Sequence, residues 1–481
     1  MRHTARRTKI VATLGPATDT LPQLEALLLA GVNVVRLNFS HGSPSDHHQR
    51  ANQVRELCEK HDLNVAILAD LQGPKIRIGR FHNNGITLKS GDCFTLDANL
   101  DSNEGTQHVV GIDYKTLPED CRSGDILLLD DGRISLKVDN ISGSEITCTV
   151  IIGGELKNNK GINRQGGGLS APALTQKDIK DIAIAAELDV DYVAVSFPKS
   201  PEDIIQAREL LEQQHSSARI VAKIERAEAA LDRDNLDSII SASDAVMVAR
   251  GDLGVEIGDA ELVGVQKHMI KRARVMDKLV IVATQMMESM IENPIPTRAE
   301  VFDVANAVLD GADAVMLSAE TAAGEHPIAA VEAMHRVCVG AEKSPDVQRS
   351  NHRLDRNFQR SDESIAMATM YTANNFSGIK AIICLTESGD TPLLMSRISS
   401  GLPIIALTRH PKTKSRMALC RGITSYIYDP TDVSYEFVNE QAIALLKEKD
   451  HLQTDDLVIL TKGARLGVHG STNAMLILKA N

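Results

Sequence analysis

Four apolar, β-branched runs in this chain each end in a polar side chain, and they follow one another in order. RIVAKIE ends on Lys223 and Glu225, DAVMVARGDLG carries Arg250 and Asp252, KLVIVATQMMESM carries Thr284 and Gln285, and DAVMLSAE ends on Ser318 and Glu320. Runs that are apolar along their whole length suit parallel strands covered on both faces. Such strands, alternating with helices and delivering polar groups at their C-terminal ends, describe the active-site face of a (β/α)8 barrel. One run of this kind is a weak signal; four in succession point to a single architecture.

The first part of the chain carries the same rhythm. Strand patterns are predicted at 9–13, 32–38 and 64–70, with helices over 22–30 and 47–61 between them. From about Gln72 to Gly168 the rhythm stops, and short alternating pieces separated by Gly, Asp and Asn turns read as all-β. A β unit inserted after the third strand lies over the barrel's C-terminal face, as a lid would. The helical period returns over 177–187, followed by a fourth strand over 192–196. A polar stretch near 342–360 then separates the barrel from further βα units, which read as an open α/β domain. In it strands are predicted at 380–386, 403–408, 457–461 and 475–479, and helices at 363–374, 392–399 and 412–420. The expected plan is α/β: barrel over 1–71 and 169–345, inserted β lid over 72–168, and a C-terminal regulatory α/β domain over 346–481.

Composition narrows the ligands. The 481 residues carry 52 basic and 64 acidic side chains, a formal charge of −12. Such a chain has no global attraction for nucleic acid or an anionic membrane, so anionic ligands must be held by local basic groups. The seven cysteines are scattered, odd in number and never spaced CxxC, which argues for a reducing, cytoplasmic setting rather than a disulfide or zinc framework. No run reaches the roughly 20 apolar residues of a membrane span. The basic opening, MRHTARR, is read as a solvated tail.

Alternate residues of a strand share a face, which puts Lys223 beside Glu225. Asp252, one strand on, would converge with Glu225 on a hard cation with oxygen ligands, best matched by Mg²⁺ (or Mn²⁺) keeping several waters. A mere internal ion pair of Lys223 and Glu225 is the alternative reading, and Asp252 at the end of the next strand weighs against it. ARGDLG suggests a tight turn into a short helix, with free N–H groups at Gly251 and Asp252 able to take a carboxylate or phosphate. In VVRLNFSH, Arg36, Asn38 and Ser40 share parity and suit a phosphoryl group and a second cation, although Ser40 could equally be a helix cap. Asp70 adds a carboxylate at the same rim, and Lys75 and Arg77 stand at the entrance to the lid. His41, His47 and His48 surround a helix-start pattern, which favours a structural role over a metal one.

RLNFSH, DLQGPKIR, NNKGIN, AKIERAE, VARGDLGVEI, ATQMMESM and PTRAEVFDVANAVLDGADAVMLSAETAAGEHP occur in this order. With these blocks the chain resembles the pyruvate kinase family from end to end. The resemblance implies transfer of the phosphoryl group of phosphoenolpyruvate to ADP, giving pyruvate and ATP, the final step of glycolysis, in a cytoplasmic homotetramer. It implies that Arg36 contacts the transferring phosphoryl group and that Glu225 and Asp252 hold Mg²⁺. Gly251, Asp252 and Thr284 would receive the substrate carboxylate, and Lys223 would stabilise the transition state. Asn38, Arg77 and Lys160, the last reaching down from the lid, would serve the nucleotide. Asn38, Ser40, Asp70 and the carbonyl of Leu71 would hold K⁺. A hydroxyl or water relay near Thr284 and Ser318 would protonate the enolate.

Two alternatives accommodate part of this set. A Mg²⁺-dependent barrel lyase acting on pyruvate enolate would want the carboxylates but no ADP site. A non-catalytic regulatory relative would tolerate damage to Arg36, Lys223, Glu225, Asp252 or Thr284, all of which are intact. Two departures from the family pattern carry expectations of their own. Lys75 stands where K⁺-requiring members carry Glu, and Leu71 where they carry Thr, so Lys75 is expected to supply the charge of the monovalent ion and make K⁺ dispensable. The TESGDTP turn, with Thr386, Ser388, Gly389 and Thr391, has the makings of a phosphate loop. Asp390 replaces a typical Arg of members activated by fructose-1,6-bisphosphate. With Glu387 it is expected to repel a bisphosphate and leave a monophosphate as the effector.

Overall fold

In the computed structural model, which describes residues 6–350, 353, 355–464, 468 and 470–481, eight parallel strands close into a barrel. They are Lys9–Thr13 (β1), Val34–Asn38 (β2), Ala66–Asp70 (β3), Tyr192–Val195 (β4), Arg219–Ile224 (β5), Ala245–Ala249 (β6), Leu279–Ala283 (β7) and Ala314–Leu317 (β8), paired in that order with β8 closing on β1. Alternation along each strand sorts the side chains. Val221 of β5 joins Val11, Leu68, Ala194, Met247 and Ile281 in one buried cluster inside the barrel, while Ile220, Ala222 and Ile224 pack outward against the helices. Lys223 has the parity of Val221, so it lies inside, at the C-terminal end where the apolar layers stop.

The insert after β3 is built on a six-stranded sheet in the order Ile162–Arg164, Ile126–Leu129, Ile134–Ser142, Glu145–Ile152, Cys93–Asp97, Val109–Gly111, with a two-stranded sheet pairing Gly154–Lys157 and Gly85–Leu88. It has its own buried cluster, which includes Phe94, Leu127, Val138 and Ile146. One short helix, Leu117–Asp120, interrupts the all-β reading.

The C-terminal sheet comprises Ile379–Leu385 (β9), Ile404–Thr408 (β10), Ile423–Ile427 (β11), Leu457–Gly463 (β12) and Thr472–Lys479 (β13), in the order β11-β10-β9-β12-β13, with only β13 antiparallel. Its buried face is continuous with the barrel interior: Met370, Ile382, Met395 and Ile404 belong to the same cluster as Val11 and Val221. Strand β11 and the helix Val438–Glu448 are additions to the expected plan. The strand ITSYI is half exposed and carries polar residues, which weakened its signal. The helix has a legible stripe of Val438, Ala442, Ile443 and Leu446.

The basic opening needs correction. Residues 1–5 lie outside the described residues, but Arg6 and Arg7 are not a solvated tail. Arg6 donates to the Gly31 carbonyl at 2.6 Å, and Arg7 donates to the carbonyls of Glu342 at 2.7 Å and Val347 at 3.0 Å. Five-donor guanidinium groups satisfy several carbonyls at once, and that draws them onto the barrel's floor. All seven cysteines are free. No helix among the described residues is long and apolar enough to cross a membrane.

Candidate active site

The C-terminal ends of β1 to β5 bring six polar side chains into one network. Lys223 Nζ lies 3.0 Å from Glu225 Oε1 and 3.3 Å from Asp70 Oδ1, and it donates to Ser196 Oγ at 2.7 Å. Arg36 donates through Nε to Asp70 Oδ2 at 2.6 Å and through Nη1 to Thr13 Oγ1 at 3.1 Å. Asp70 is buried, and burial works against its ionisation, but Lys223 and Arg36 outweigh it and hold the carboxyl below its ordinary value. Burial likewise opposes the charge on Lys223, while Asp70 and Glu225 restore it and raise its pKa.

Glu225 is the strained member of this set. Burial pushes its carboxyl up to about 7; Lys223 opposes the shift, while Asp252 and Asp70 add to it. Its Oε2 accepts the Phe197 N–H at 2.8 Å. A carboxylate whose charge is opposed by burial and by neighbouring negative groups is what a divalent cation relieves. Among the described residues no three His, Cys, Asp or Glu side chains converge on one metal-sized point. A two-carboxylate site suits Mg²⁺ or Mn²⁺, whose remaining positions go to water and substrate oxygens. The residues present fit the ion.

Asp252 lies in the first turn of the helix Arg250–Ile257, which begins directly at the end of β6. Amides in a first helical turn lack an intrahelical acceptor, which favours an anion there. The Gly251 N–H, expected to be free, instead donates to Thr284 Oγ1 at 2.8 Å. Thr284 and Gln285 have φ of 69° and 54°, left-handed values that cost about 1–3 kcal/mol each in a non-glycine residue. Arg250 holds that bend: its Nη2 donates to the Thr284 carbonyl at 2.6 Å and its Nη1 to Asp303 at 2.7 Å.

Around the position that the resemblance assigns to a monovalent cation the side-chain and carbonyl groups are oxygens. Asp70 Oδ1 is buried with only the Lys223 ammonium, 3.3 Å away, facing it among the described residues, and the Leu71 carbonyl accepts the Ser196 hydroxyl at 2.7 Å. Asn38 Oδ1 accepts the Ser40 N–H at 3.1 Å, but Ser40 itself is exposed in a turn after β2. The strand parity that linked it to Arg36 therefore ends at Asn38. Ser40 is not the helix cap either; Ser43 caps Pro44–Lys60. Lys75 is half-buried and lines a cavity with Asp252, Glu228 and Glu256. His47 stacks on Phe39 with ring centroids 4.3 Å apart, and His48 lies 3.6 Å from Glu187.

Arg77 and Lys160 are neighbours at the base of the insert: Arg77 bridges Gly161, and Ile78 N–H donates to the Lys160 carbonyl at 2.9 Å. Lys160 does not reach down to the mouth; its Nζ pairs with Asp130 within the insert at 2.7 Å, since that carboxylate is the nearer counter-charge. Ser318 follows β8, and its N–H donates to Glu320 at 2.7 Å. Among the described residues no hydrogen bond joins it to Thr284.

Far from this mouth, Thr386, Ser388 and Thr391 line a cleft of the C-terminal unit with Arg409, and Gly389 N–H donates to Thr386 Oγ1 at 3.0 Å. The expected negative field is only partly present. Glu387 is paired with Arg409 at 3.0 Å and His410 at 2.6 Å, because the turn after β10 carries both bases, and Asp390 lies 3.9 Å from Arg219.

Ser196, Phe197 and Thr13 belong to the network but escaped the sequence reading. The signal was there for Ser196: YVAVS is another apolar run closing on a polar residue.

Residues 5–331 match the family model of the pyruvate kinase barrel domain, and residues 363–478 that of the pyruvate kinase alpha/beta domain. The chain is 58% identical to the pyruvate kinase of Buchnera aphidicola subsp. Schizaphis graminum over 479 residues, covering 100% of this chain and 99% of that one. It is also 58% identical to pyruvate kinase II of Salmonella typhimurium over 478 residues, covering 99% of each. A solved pyruvate kinase structure from Cryptosporidium parvum superposes with a TM-score of 0.92 at 34% identity, covering 99% of this chain and 96% of that one.

Proposed function

The chain belongs to the pyruvate kinase family and transfers the phosphoryl group of phosphoenolpyruvate to ADP, and we propose that the network around Lys223 performs the transfer. The observation that carries this reading is the half-buried Lys223 ammonium held between Glu225 and Asp70 at the barrel mouth. Phosphoryl transfer needs alignment and charge neutralisation more than covalent help. Arg36 and Lys223 offer fixed positive charge to the moving group and the developing enolate; such preorganised charge contributes a few kcal/mol per group. Glu225 and Asp252 hold Mg²⁺ or Mn²⁺, which neutralises phosphoryl oxygens when bound. The first turn of the helix Arg250–Ile257, with Thr284, receives the substrate carboxylate. Arg77 and Lys160 serve the nucleotide phosphates, Lys160 exchanging Asp130 for them when the lid closes. Thr284 and Ser318 serve the proton relay to the enolate.

Lys75 stands in the cavity that contains Asp252, and its charge replaces that of K⁺, so the enzyme turns over without a monovalent ion. The loop from Thr386 to Thr391 takes a monophosphate such as a sugar phosphate or AMP, with Arg409 and His410 as the basic groups beside it. The chain assembles as a homotetramer, which covers Ile295 and Phe302, 71% and 75% exposed in the isolated chain.

A coupled assay of pyruvate release tests the reading. Lys223→Ala is expected to lower kcat by several orders of magnitude with little change in KM. A raised KM with near-normal kcat would reassign Lys223 to ground-state binding. Chelation of divalent metal abolishes the rate and Mn²⁺ restores it. The same assay in buffer free of K⁺ and NH₄⁺ should run near the full rate, and Lys75→Glu should then create a K⁺ requirement; an enzyme almost dead until K⁺ is added refutes the Lys75 role. Activation by a micromolar bisphosphate, or none by any monophosphate, removes the effector assignment. A monomeric mass by light scattering removes the tetramer.

A further inference from the structure

We propose that Ser196 is a positioning residue for phosphoryl transfer: its hydroxyl fixes the Lys223 ammonium and ties it to the chain leading into the lid. The inference rests on the catalytic reading of Lys223 given above. Ser196 follows β4 directly and is 1% exposed. Its hydroxyl accepts from Lys223 Nζ at 2.7 Å and donates to the Leu71 carbonyl at 2.7 Å, so both of its hydrogen-bonding roles are committed. An ammonium has three donors on a flexible stem. Glu225 and Asp70 lie within 3.0 Å and 3.3 Å of it, and Ser196 completes a tripod. The two carboxylates also attract any cation in the site; Ser196 is the one uncharged support and holds Lys223 whatever those carboxylates bind.

The next residue secures the other partner. Phe197 N–H donates to Glu225 Oε2 at 2.8 Å, and Phe197 adopts φ of 55°, a left-handed value that a Phe takes only at a cost. One two-residue turn therefore grips Lys223 by a side chain and Glu225 by the backbone. The same turn faces the outgoing lid segment. Leu71 N–H donates to the Ala194 carbonyl at 3.0 Å. At Gly73, φ +68°, a Cβ would stand 2.7 Å from Ser196 Cβ, so only glycine lets the segment pass this close. A shift of Leu71–Gly73 on lid movement is felt at Ser196 and through it at Lys223.

The test compares Ser196→Ala, Ser196→Cys, Lys223→Ala and the double variant Ser196→Ala/Lys223→Ala, with kcat, the KM for phosphoenolpyruvate, thermal midpoint and Mn²⁺ affinity by paramagnetic resonance. Misplacement of a catalytic group by about 1 Å costs ~100-fold in rate. Ser196→Ala should therefore lose about 10- to 100-fold in kcat, with KM and Mn²⁺ affinity within ~3-fold, since Phe197 still holds Glu225. Ser196→Cys, which keeps a weak donor and acceptor, should recover part of the rate. In the Lys223→Ala background, Ser196→Ala should change kcat by less than ~3-fold. Near-native kcat in Ser196→Ala overturns the inference. So does an additive loss in the double variant, a loss that Cys does not relieve, or a parallel loss of Mn²⁺ affinity. Native kcat in Lys223→Ala alone would instead remove the catalytic reading beneath it.

Discussion

Glu256 shows how a single carboxyl couples chemistry to stability. It sits one helical turn beyond Asp252 on Arg250–Ile257, buried, with its Oε2 accepting the Ala227 N–H at 2.8 Å and its carbonyl accepting the Gly166 N–H at 2.9 Å. Burial pushes its pKa from 4.5 up to about 7. Between those values the folded chain keeps a proton that the unfolded chain has released, so stability falls as pH rises through the window and the loss is complete above it. Glu256→Gln keeps the accepting oxygen and removes the charge. It should raise the thermal midpoint at pH 8 by ~2–4 °C and leave it unchanged at pH 5. A midpoint that is lower at pH 8 would show that the ionised carboxylate is stabilising. Glu225 is displaced in the same way, by burial first with Asp252 and Asp70 adding to it, and there a metal ion would reverse the shift.

Strand ends and the loops they feed do the positioning at the next level. β4 and β7 are buried throughout and β5 nearly so, and useful groups appear at or just past the strand ends, where the chain turns at Phe197 and at Thr284 and Gln285 through left-handed φ values. The insert returns to the barrel through Gly166, Gly167 and Gly168, all with φ between 74° and 86°. A Cβ on Gly167 would collide with the Glu228 carboxylate and strain the backbone. Gly167→Ala is expected to raise the KM for ADP several-fold through a displaced lid, leave the KM for phosphoenolpyruvate nearly unchanged, and cost on the order of 1–3 kcal/mol of stability. Steady-state kinetics with each substrate varied in turn decides it; equal effects on both KM values would place the glycine's role in the barrel rather than the lid.

Across the whole molecule, the C-terminal unit plugs the end of the barrel opposite the active site. Arg397 and Asp313, each 1% exposed, pair there, with Arg397 Nη1 2.8 Å from Asp313 Oδ2 and 2.7 Å from the Lys278 carbonyl. Asp313 also accepts the Val280 N–H at 3.0 Å, between two barrel strands. Nearby, Lys9 Nζ donates to the Ile423 carbonyl at 2.6 Å and the Tyr192 hydroxyl to the Arg416 carbonyl at 2.7 Å. Removing one partner of a buried ion pair leaves the other uncompensated, at about 3–5 kcal/mol. Arg397→Ala should lower the thermal midpoint and expose the 342–360 connection to limited proteolysis. An unchanged digestion pattern would mean that the apolar contacts of Met370, Met395 and Ile404 suffice to dock the unit.

What the sequence carried was periodicity and chemistry at strand ends. Apolar runs closing on Lys223, Asp252, Thr284 and Ser318 announced a parallel barrel, because both faces of such strands are covered and polar groups survive only where the strand stops. Strand parity correctly joined Lys223 to Glu225, and the blocks from RLNFSH to GEHP carried the family. Local pattern could not foresee contacts between residues distant in the chain. Ser196 reached Lys223, Thr284 closed over the Gly251 amide, Lys160 turned to Asp130, and Arg409 with His410 met the charge on Glu387. The same holds for Arg6 and Arg7, which composition made a tail and folding made a seam. Periodicity is a property of neighbours along one element, and so it is written in the sequence. Hydrogen-bond partners are chosen by whichever donor and acceptor the packed elements bring within 3 Å or so, and that choice exists only once the barrel, lid and C-terminal unit are assembled.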